Sequence, residues 1–367
     1  MSKRKLIWHM GVAQAPRPVV PANLTAHRES LEAAGVQVAA TEEEARLATH
    51  ELLRTHKTAG ISRRQVEGRW ADICNRVWRH KGGSVLSTPD LCVADKDQIR
   101  LALDPLIGLE VHLVVTVDSF SQQLYGGWLA ELRAGRATSW EKYAARVLAQ
   151  QPGQHALGHE QADQVQADHV QAERFWAGHD LDALLSRWGW TFHPERLHVV
   201  AFADVRDQWS QFLDIVGPSS GSHRPVVPTY ADPAGVAVLR RVNRQMEEPL
   251  SPGSVDLLTG VDREASAMPA VPTAELRPLV ERWTDTLAAH DLRGELTTLI
   301  DEGDTEPLPA ARDQLEAAVD VLADALAENS RLNVRVAALE DDRDRLDRKR
   351  RKWKRRLKRA EALAAEG

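Results

Sequence analysis

Short apolar runs alternate with longer segments of helical period along the first 250 residues of this chain. Each run is continuously apolar, which is typical of parallel strands buried on both faces. The predicted strands are Lys5–Met10, Val36–Ala39, Ser84–Ser87, Glu110–Val117 and Arg196–Phe202. The predicted helices are Asn23–Ala34, Glu42–His56, Ser62–His80, Lys96–Ile107, Phe120–Ala134, Trp140–Gln150, Leu181–Trp188 and Pro233–Met246. This alternation predicts an α/β domain with a parallel sheet of about five strands flanked by helices.

The last third of the chain has a different pattern. Residues 251–274 contain several prolines and no apolar period, so they are predicted to be a linker. Residues 275–367 are predicted to be a helical extension, because apolar residues return at heptad spacing with a phase break at 328–330. The heptad residues are Leu315, Val319, Leu322, Leu326, Leu332, Val336, Leu339, Leu346, Trp353 and Leu357. We therefore expect an α/β domain at 1–250, the linker, and a coiled-coil extension through which the chain could self-associate.

Charge is distributed unevenly along the chain. Its 47 Lys and Arg and 53 Asp and Glu give a net charge of −6, yet residues 348–359 hold ten basic residues and no acidic one. The other 355 residues therefore carry a net charge of −16, which confines any affinity for nucleic acid to the tail. The tail is either a solvated helix end or a surface for anionic lipid, nucleic acid or an acidic protein. Its residues are Arg348, Lys349, Arg350, Arg351, Lys352, Trp353, Lys354, Arg355, Arg356, Leu357, Lys358 and Arg359.

Composition excludes several classes of protein. A chain that is 43% hydrophobic and 27% charged is neither collagenous nor wholly disordered. The two cysteines, Cys74 and Cys92, are too few for a disulfide framework and fit a reducing compartment. The apolar run before Gly11 is too short for a signal peptide, and no stretch reaches the 18 or more apolar residues of a membrane span. We expect a soluble cytoplasmic protein with no transmembrane segment.

An ordered series of motifs carries a family resemblance. The motifs are HMG at 9–11, VLSTPDL at 85–91, EVHLVVTV at 110–117, SFSQQLYGGWLAEL at 119–132, FWAGHDLDALLSRWG at 175–189, PERLHVVAF at 194–202 and VLRRVN at 238–243. In this order they resemble the actinobacterial sulfotransferase family over about residues 4–250. The resemblance implies a P-loop-type fold that binds 3′-phosphoadenosine 5′-phosphosulfate and transfers its sulfuryl group to a hydroxyl or amine.

The phosphate-binding loop of that family reads His-x-Gly-x-x-Lys-Ser/Thr-Gly-Thr-Thr, and this chain departs from it. His9 and Gly11 are retained, whereas Gln14 stands in the place of the lysine. The places of the hydroxyl residues and the second glycine are taken by Ala15, Pro16, Arg17 and Pro18. The prolines also remove backbone N–H donors. Arg17 could replace the missing lysine charge, but the loop would still lack donors.

The family element after the fourth strand is also altered. There an Arg-Asp pair, and a serine eight residues after the arginine, bind the 3′-phosphate of the nucleotide. Here Asp118 stands in the place of the arginine, Ser119 of the aspartate and Gly126 of the serine. Asp118 would repel the phosphate that the family binds.

Two other candidate sites have competing interpretations. Asp90 lies one residue from the place of the acidic residue that serves the family as a candidate general base, and could equally be a helix cap. His155 and His159 are four residues apart, so on a helix they would share a face that could bind zinc or nickel. Gly153 and Gly158 favour a polar, solvent-exposed lid there instead.

Three functions follow from these observations. The first is a sulfotransferase-like protein without catalytic activity or cofactor, acting through binding or assembly. The second is an active sulfotransferase with 3′-phosphoadenosine 5′-phosphosulfate as donor. The third is a coiled-coil scaffold whose basic tail binds anionic membrane or nucleic acid.

Overall fold

The structure is a computed structural model of the chain. It describes residues 4–12, 18–152, 162–201, 205–217, 223–226, 233–246, 250, 252–259, 276–290, 292 and 296. Nearer the C-terminus it describes residues 322, 332, 335, 336, 339, 343, 345, 346, 349, 350 and 353.

Five parallel strands form a single sheet in the order β2-β3-β1-β4-β5. The strands are β1 Lys5–Gly11, β2 Val36–Val38, β3 Gly83–Ser87, β4 Glu110–Val117 and β5 Leu197–Ala201. The central strand β1 is paired on both sides, so that Trp8 lies between Leu86 and Leu113. The predicted parallel α/β sheet is confirmed.

Fourteen helices are described around the sheet. They are α1 Val19–Ala26, α2 Arg28–Ala33, α3 Glu42–Leu53, α4 Arg63–Val66, α5 Arg69–Arg79, α6 Lys96–Leu103, α7 Phe120–Arg133, α8 Trp140–Leu148, α9 Ala162–His179, α10 Leu181–Trp188, α11 Val205–Val216, α12 Pro233–Asn243, α13 Pro252–Thr259 and α14 Arg277–Ala289.

The segment predicted as one helix at 62–80 is broken into α4 and α5. Gly68 has a φ of +82° at the break, a backbone conformation that glycine adopts without strain. The backbone N–H groups of Gly68 and Trp70 donate to the Glu51 carboxylate at 2.7 and 2.8 Å. A side chain from α3 therefore satisfies the start of α5.

Helices cover the two faces of the sheet in two groups. The smaller group, α1, α2 and α11, packs on the face that carries Ile7. The larger group, which includes α3 and α5 to α10, packs on the face that carries Leu6 and Trp8. The chain therefore leaves β1 toward one face and leaves β3 and β4 toward the other. Such a reversal opens a crevice at the carboxyl end of β1, the usual position of a ligand in an open α/β sheet.

Helices beyond residue 250 also join this core. Val255 and Leu258 of α13 are buried in the core, so the predicted linker contains a helix with its apolar side turned inward. On α14, Trp283 is fully buried and its ring stacks on Phe120 with centroids 5.1 Å apart. Arg282 donates to Asp182 at 2.6 Å. The helical region predicted from residue 275 thus begins with a helix packed on the α/β body.

The C-terminal residues that the structure describes from 322 to 353 are all helical and exposed. Of the basic tail, Lys349, Arg350 and Trp353 are described, and the other tail residues lie outside the described part. The coiled coil and the partners of the tail stay predictions. Within the described ranges, no helix combines the length and apolarity needed to cross a membrane.

Candidate functional site

The carboxyl ends of β1, β3 and β4 bring several of the predicted site residues together. β1 ends at Gly11 and β4 leads directly into Asp118 and Ser119. Asp90 follows β3 in the 3₁₀ turn Pro89–Val93. Gln14 and Arg17 lie outside the described residues. The predicted site residues that the structure describes here therefore lie at the carboxyl edge of the sheet, where the sheet topology also places the crevice.

His9 links the three central strands at this edge. Its Nδ1 lies 2.8 Å from the Ser87 hydroxyl on β3, and its Nε2 lies 3.0 Å from the Thr116 hydroxyl on β4. The side chain is 2% exposed, and this burial lowers its pKa to about 3. His9 is therefore neutral at pH 7 and brings no positive charge to the site.

The turn after β3 is fixed tightly to β1. The indole N–H of Trp8 donates to the Thr88 hydroxyl at 2.7 Å, and the Thr88 backbone N–H donates to the His9 carbonyl at 3.0 Å. A Cβ at Gly11 would approach Thr116 Oγ1 to 3.3 Å and the Pro89 Cβ to 3.5 Å. Glycine at this position therefore permits close packing of β1 against β4 and the turn after β3.

The start of α1 offers few donors to an anion. Pro18 occupies the N-cap position without a side-chain cap, and Pro21 follows in the first turn. Of positions 18–21, only Val19 and Val20 carry a backbone N–H, and both side chains are buried in the core. This helix terminus therefore has half of the usual first-turn N–H groups.

Asp118 places a carboxylate at the end of β4. Its side chain is 7% exposed, and Gln208 Nε2 lies 3.5 Å from Oδ1. Ser119 caps α7, with its hydroxyl 3.4 Å from the backbone nitrogen of Gln122. Gly126 lies buried two turns further along α7 and supplies no side chain. The three residues thus place a carboxyl group and a hydroxyl at the end of β4 and no side chain two turns along α7.

A cavity of about 330 Å³ opens beside this edge, between α1, α3 and the turn after β3. Asp90 lines it and is exposed. The N-cap position of its turn belongs to Thr88, so the helix-cap interpretation of Asp90 is wrong. The other polar side chains of the lining are Thr25, Arg28, Thr41, Glu42, Arg46, Thr49, Ser87, Thr88 and Arg133.

The arginines of this cavity were not singled out from the sequence. Arg28 donates to the Val38 carbonyl at 2.7 Å, and Arg46 pairs with Glu43 at 2.8 Å. Arg133 makes no ion pair with the residues that the structure describes. They come from α2, α3 and α7, so no local spacing indicates that they converge. With Asp90, they give the cavity both signs of charge.

The proposed histidine metal site cannot be placed, because His155 and His159 lie outside the described residues. The segment after them forms α9, whose Ala172, Phe175 and Trp176 are buried in the core. A solvent-exposed lid is therefore the wrong description of residues 170–180. The described residues contain no group of three His, Cys, Asp or Glu side chains suited to a metal ion.

Replacing Thr116 with valine is expected to lower the free energy of unfolding by about 1–3 kcal/mol, because the Nε2 side of the buried His9 ring loses its partner. Thr116→Ser keeps the hydroxyl and serves as the control. Urea unfolding followed by tryptophan fluorescence measures both. An unchanged free energy of unfolding in Thr116→Val would show that this hydrogen bond does not stabilise the fold.

Comparison with known proteins adds no support to the family resemblance, which rests on the sequence motifs alone. The chain matches no protein-family model, no curated protein and no solved structure.

Proposed function

We propose that this chain is a sulfotransferase-like protein that has lost its donor site and acts through binding or assembly without transferring sulfate. The observation that carries the proposal is Asp118, a buried carboxylate at the end of β4 in the place of the family's phosphate-binding arginine. The parallel sheet and the crevice beside β1 support a P-loop-type body.

An ionised carboxylate at position 118 would disfavour a nucleotide 3′-phosphate beside it. Two like unit charges 4 Å apart repel by about 4 kcal/mol at an effective dielectric constant of about 20. That penalty corresponds to about a thousandfold in affinity, before the missing attraction of an arginine is counted. A nucleotide carrying a 3′-phosphate therefore does not fit the side chain at the end of β4.

His9 and the described start of α1, on the other side of the crevice, add no compensation. His9 is neutral because burial lowers its pKa to about 3. Pro18 and Pro21 remove two N–H donors at the start of α1. His9 and the start of α1 therefore supply neither a positive charge nor the full set of donors that a 5′-phosphosulfate requires.

An active sulfotransferase is the second candidate, and the cavity favours it. Asp90 is a carboxylate that could act as a general base toward an acceptor hydroxyl, and Arg133 could hold an anionic acceptor. This candidate requires 3′-phosphoadenosine 5′-phosphosulfate as donor. Transfer of radiolabelled sulfate to any hydroxyl or amine acceptor would support it.

Titration calorimetry with 3′-phosphoadenosine 5′-phosphate at low salt tests the proposal directly. We expect no binding heat from the native chain up to millimolar nucleotide. Asp118→Asn is expected to bind detectably more tightly than Asp97→Asn, which removes the same charge from an exposed position on α6. Micromolar binding by the native chain would contradict the loss of the donor site.

A further inference from the structure

The cavity beside β3 is large enough to hold a small molecule. Its volume of about 330 Å³ lies within the range of about 300–1,000 Å³ that is usual for small-molecule sites. Glu42, Ala45 and Thr49 line it from one side of α3. Thr49 lies about 10 Å along the helix axis from Glu42. Glu42 is exposed and Thr49 is 5% exposed, so the cavity runs from a rim at Glu42 to a floor at Thr49.

The floor carries two hydroxyl groups that have hydrogen bonds left to make. The Thr49 hydroxyl bonds to none of the residues that the structure describes. Thr88, on the wall formed by the turn after β3, is 1% exposed. Its hydroxyl accepts a hydrogen bond from the Trp8 indole at 2.7 Å but donates none within the described ranges. Buried hydroxyls normally find all their partners within the protein. Two open hydroxyls in one cavity therefore indicate that a polar atom of a ligand bonds to them.

Much of the lining between rim and floor is apolar. Leu24 of α1 and Val38 of β2 are each 4% exposed, and Ala45 of α3 is 7% exposed. Pro21 and Pro89 line the cavity as well. These side chains offer no hydrogen bond, so a polar group beside them would lose its water without compensation. The middle of the ligand is therefore apolar, and its inner end is polar.

The rim presents one carboxylate and one guanidinium that do not pair with each other. Glu42 and Arg133 are both exposed, and neither side chain makes an ion pair or a hydrogen bond in the described part of the chain. Asp90 adds a second carboxylate to the lining. Opposite charges that line the same cavity without neutralising each other complement a ligand that carries both signs itself.

The other two arginines of the lining are already neutralised. Arg28 pairs with Glu32 at 3.2 Å, and Arg46 pairs with Glu43 at 2.8 Å. Both acidic partners lie outside the lining. Arg133 is therefore the described cation of this cavity that is available to a ligand carboxylate, and a ligand with negative charge alone would leave Glu42 without a partner.

We propose that this cavity binds a free amino acid whose side chain has an apolar body and a hydrogen-bonding tip, the form that tyrosine has. Its carboxylate lies at Arg133 and its ammonium group at Glu42. The ring packs between Leu24 and Val38, and the phenol hydroxyl bonds to Thr49 and Thr88. This inference rests on the proposed function, because it names the ligand of a chain that acts through binding.

Titration calorimetry of the full chain with four compounds tests each end of the ligand. L-Phenylalanine lacks the hydroxyl of L-tyrosine, tyramine lacks the carboxylate, and N-acetyl-L-tyrosine lacks the ammonium group. We expect L-tyrosine to bind most tightly. Phenylalanine is expected to bind about tenfold more weakly, because two buried hydroxyls lose a partner. The other two compounds are expected to bind about fivefold more weakly, since each loses one ion pair at an exposed rim.

Variants of the chain assign these differences to side chains. Thr49→Val is expected to reduce the preference for tyrosine over phenylalanine, whereas Thr49→Ser keeps the hydroxyl and the preference. Arg133→Gln is expected to bind tyrosine and tyramine equally. Arg79→Gln, at an exposed arginine of α5 outside the cavity, is the matched control and should keep the difference.

Two results would overturn the proposal. One is a native chain that binds no tyrosine up to the solubility limit. The other is a preference for tyrosine over phenylalanine that is absent from the native chain or unchanged in Thr49→Val. The proposed function fails differently, since micromolar binding of 3′-phosphoadenosine 5′-phosphate contradicts the loss of the donor site whatever tyrosine does. A chain that binds neither compound overturns the tyrosine site alone.

Discussion

Acidification from pH 7 to pH 4 is expected to lower the free energy of unfolding by about 3 kcal/mol through His9 alone. The pKa of this imidazole is 6.5 when it is exposed and about 3 in the folded protein. Folding therefore keeps the ring neutral in a pH range where the unfolded chain binds a proton. The cause is burial between Ser87 and Thr116, where a charged ring would lack water.

The sign of this effect fixes its pH window. Above pH 6.5 the ring is neutral in both states, so the full stability is present. Between pH 6.5 and about 3 the unfolded state gains a proton that the folded state does not accept, and stability falls. His198 acts in the same direction, since burial and the neighbouring His112 lower its pKa to about 4.

Urea unfolding between pH 7 and pH 4 measures the loss, with His9→Gln as the comparison variant. Glutamine can still donate and accept a hydrogen bond, but it does not titrate. We expect the variant to be less stable at pH 7 and its stability to fall less steeply with acid. Equal slopes for the native chain and the variant would mean that other groups cause the acid sensitivity.

Truncation of Trp283 to alanine is expected to lower the free energy of unfolding by about 3–5 kcal/mol. The ring is fully buried and stacks on Phe120, so its removal leaves a large cavity between α14 and α7. Its indole N–H also donates to Asp180 at 3.0 Å. Burial raises the pKa of Asp180 and this hydrogen bond opposes the rise, so the truncation also removes a donor from a largely buried carboxylate.

Trp283→Phe separates the two contributions. It keeps an aromatic ring against Phe120 and loses the N–H donor, so we expect a loss smaller than that of the alanine variant. Thermal unfolding of the full chain, followed by circular dichroism, compares the variants. A loss below 1 kcal/mol for Trp283→Ala would show that α14 contributes little to the body.

The strands were readable from the sequence because burial on both faces makes each of them continuously apolar. Glu110–Val117 was predicted with its observed bounds. Helix starts were harder to predict. α1 begins at Val19, four residues before its predicted start, because Pro18 and Pro21 indicate a loop in sequence yet fit the first turn of a helix. α9 was missed since its first half is polar and its buried aromatic residues lie near its end.

The candidate site was only partly visible in the sequence. His9, Gly11 and Asp118 follow strands and align with family motifs, so their positions at the carboxyl edge could be predicted. Their environment could not, because the burial that neutralises His9 depends on hydroxyls from strands 78 and 107 residues away. The arginines of the cavity come from three separate helices. Nothing in the sequence distinguishes any of these arginines from one on the solvent-facing side of a helix. Only the tertiary fold brings the three side chains together.

The order of the strands determines when the chain can fold during synthesis. β1 emerges first, yet one of its edges has no partner until β3 ends at residue 87, and the other has none until β4 ends at residue 117. Phe120 gains its stacking partner only when Trp283 has been made, and Leu296 of the same core is made later still. The native core is therefore complete only after about residue 296 has been made, so a shorter nascent chain leaves part of this apolar surface uncovered.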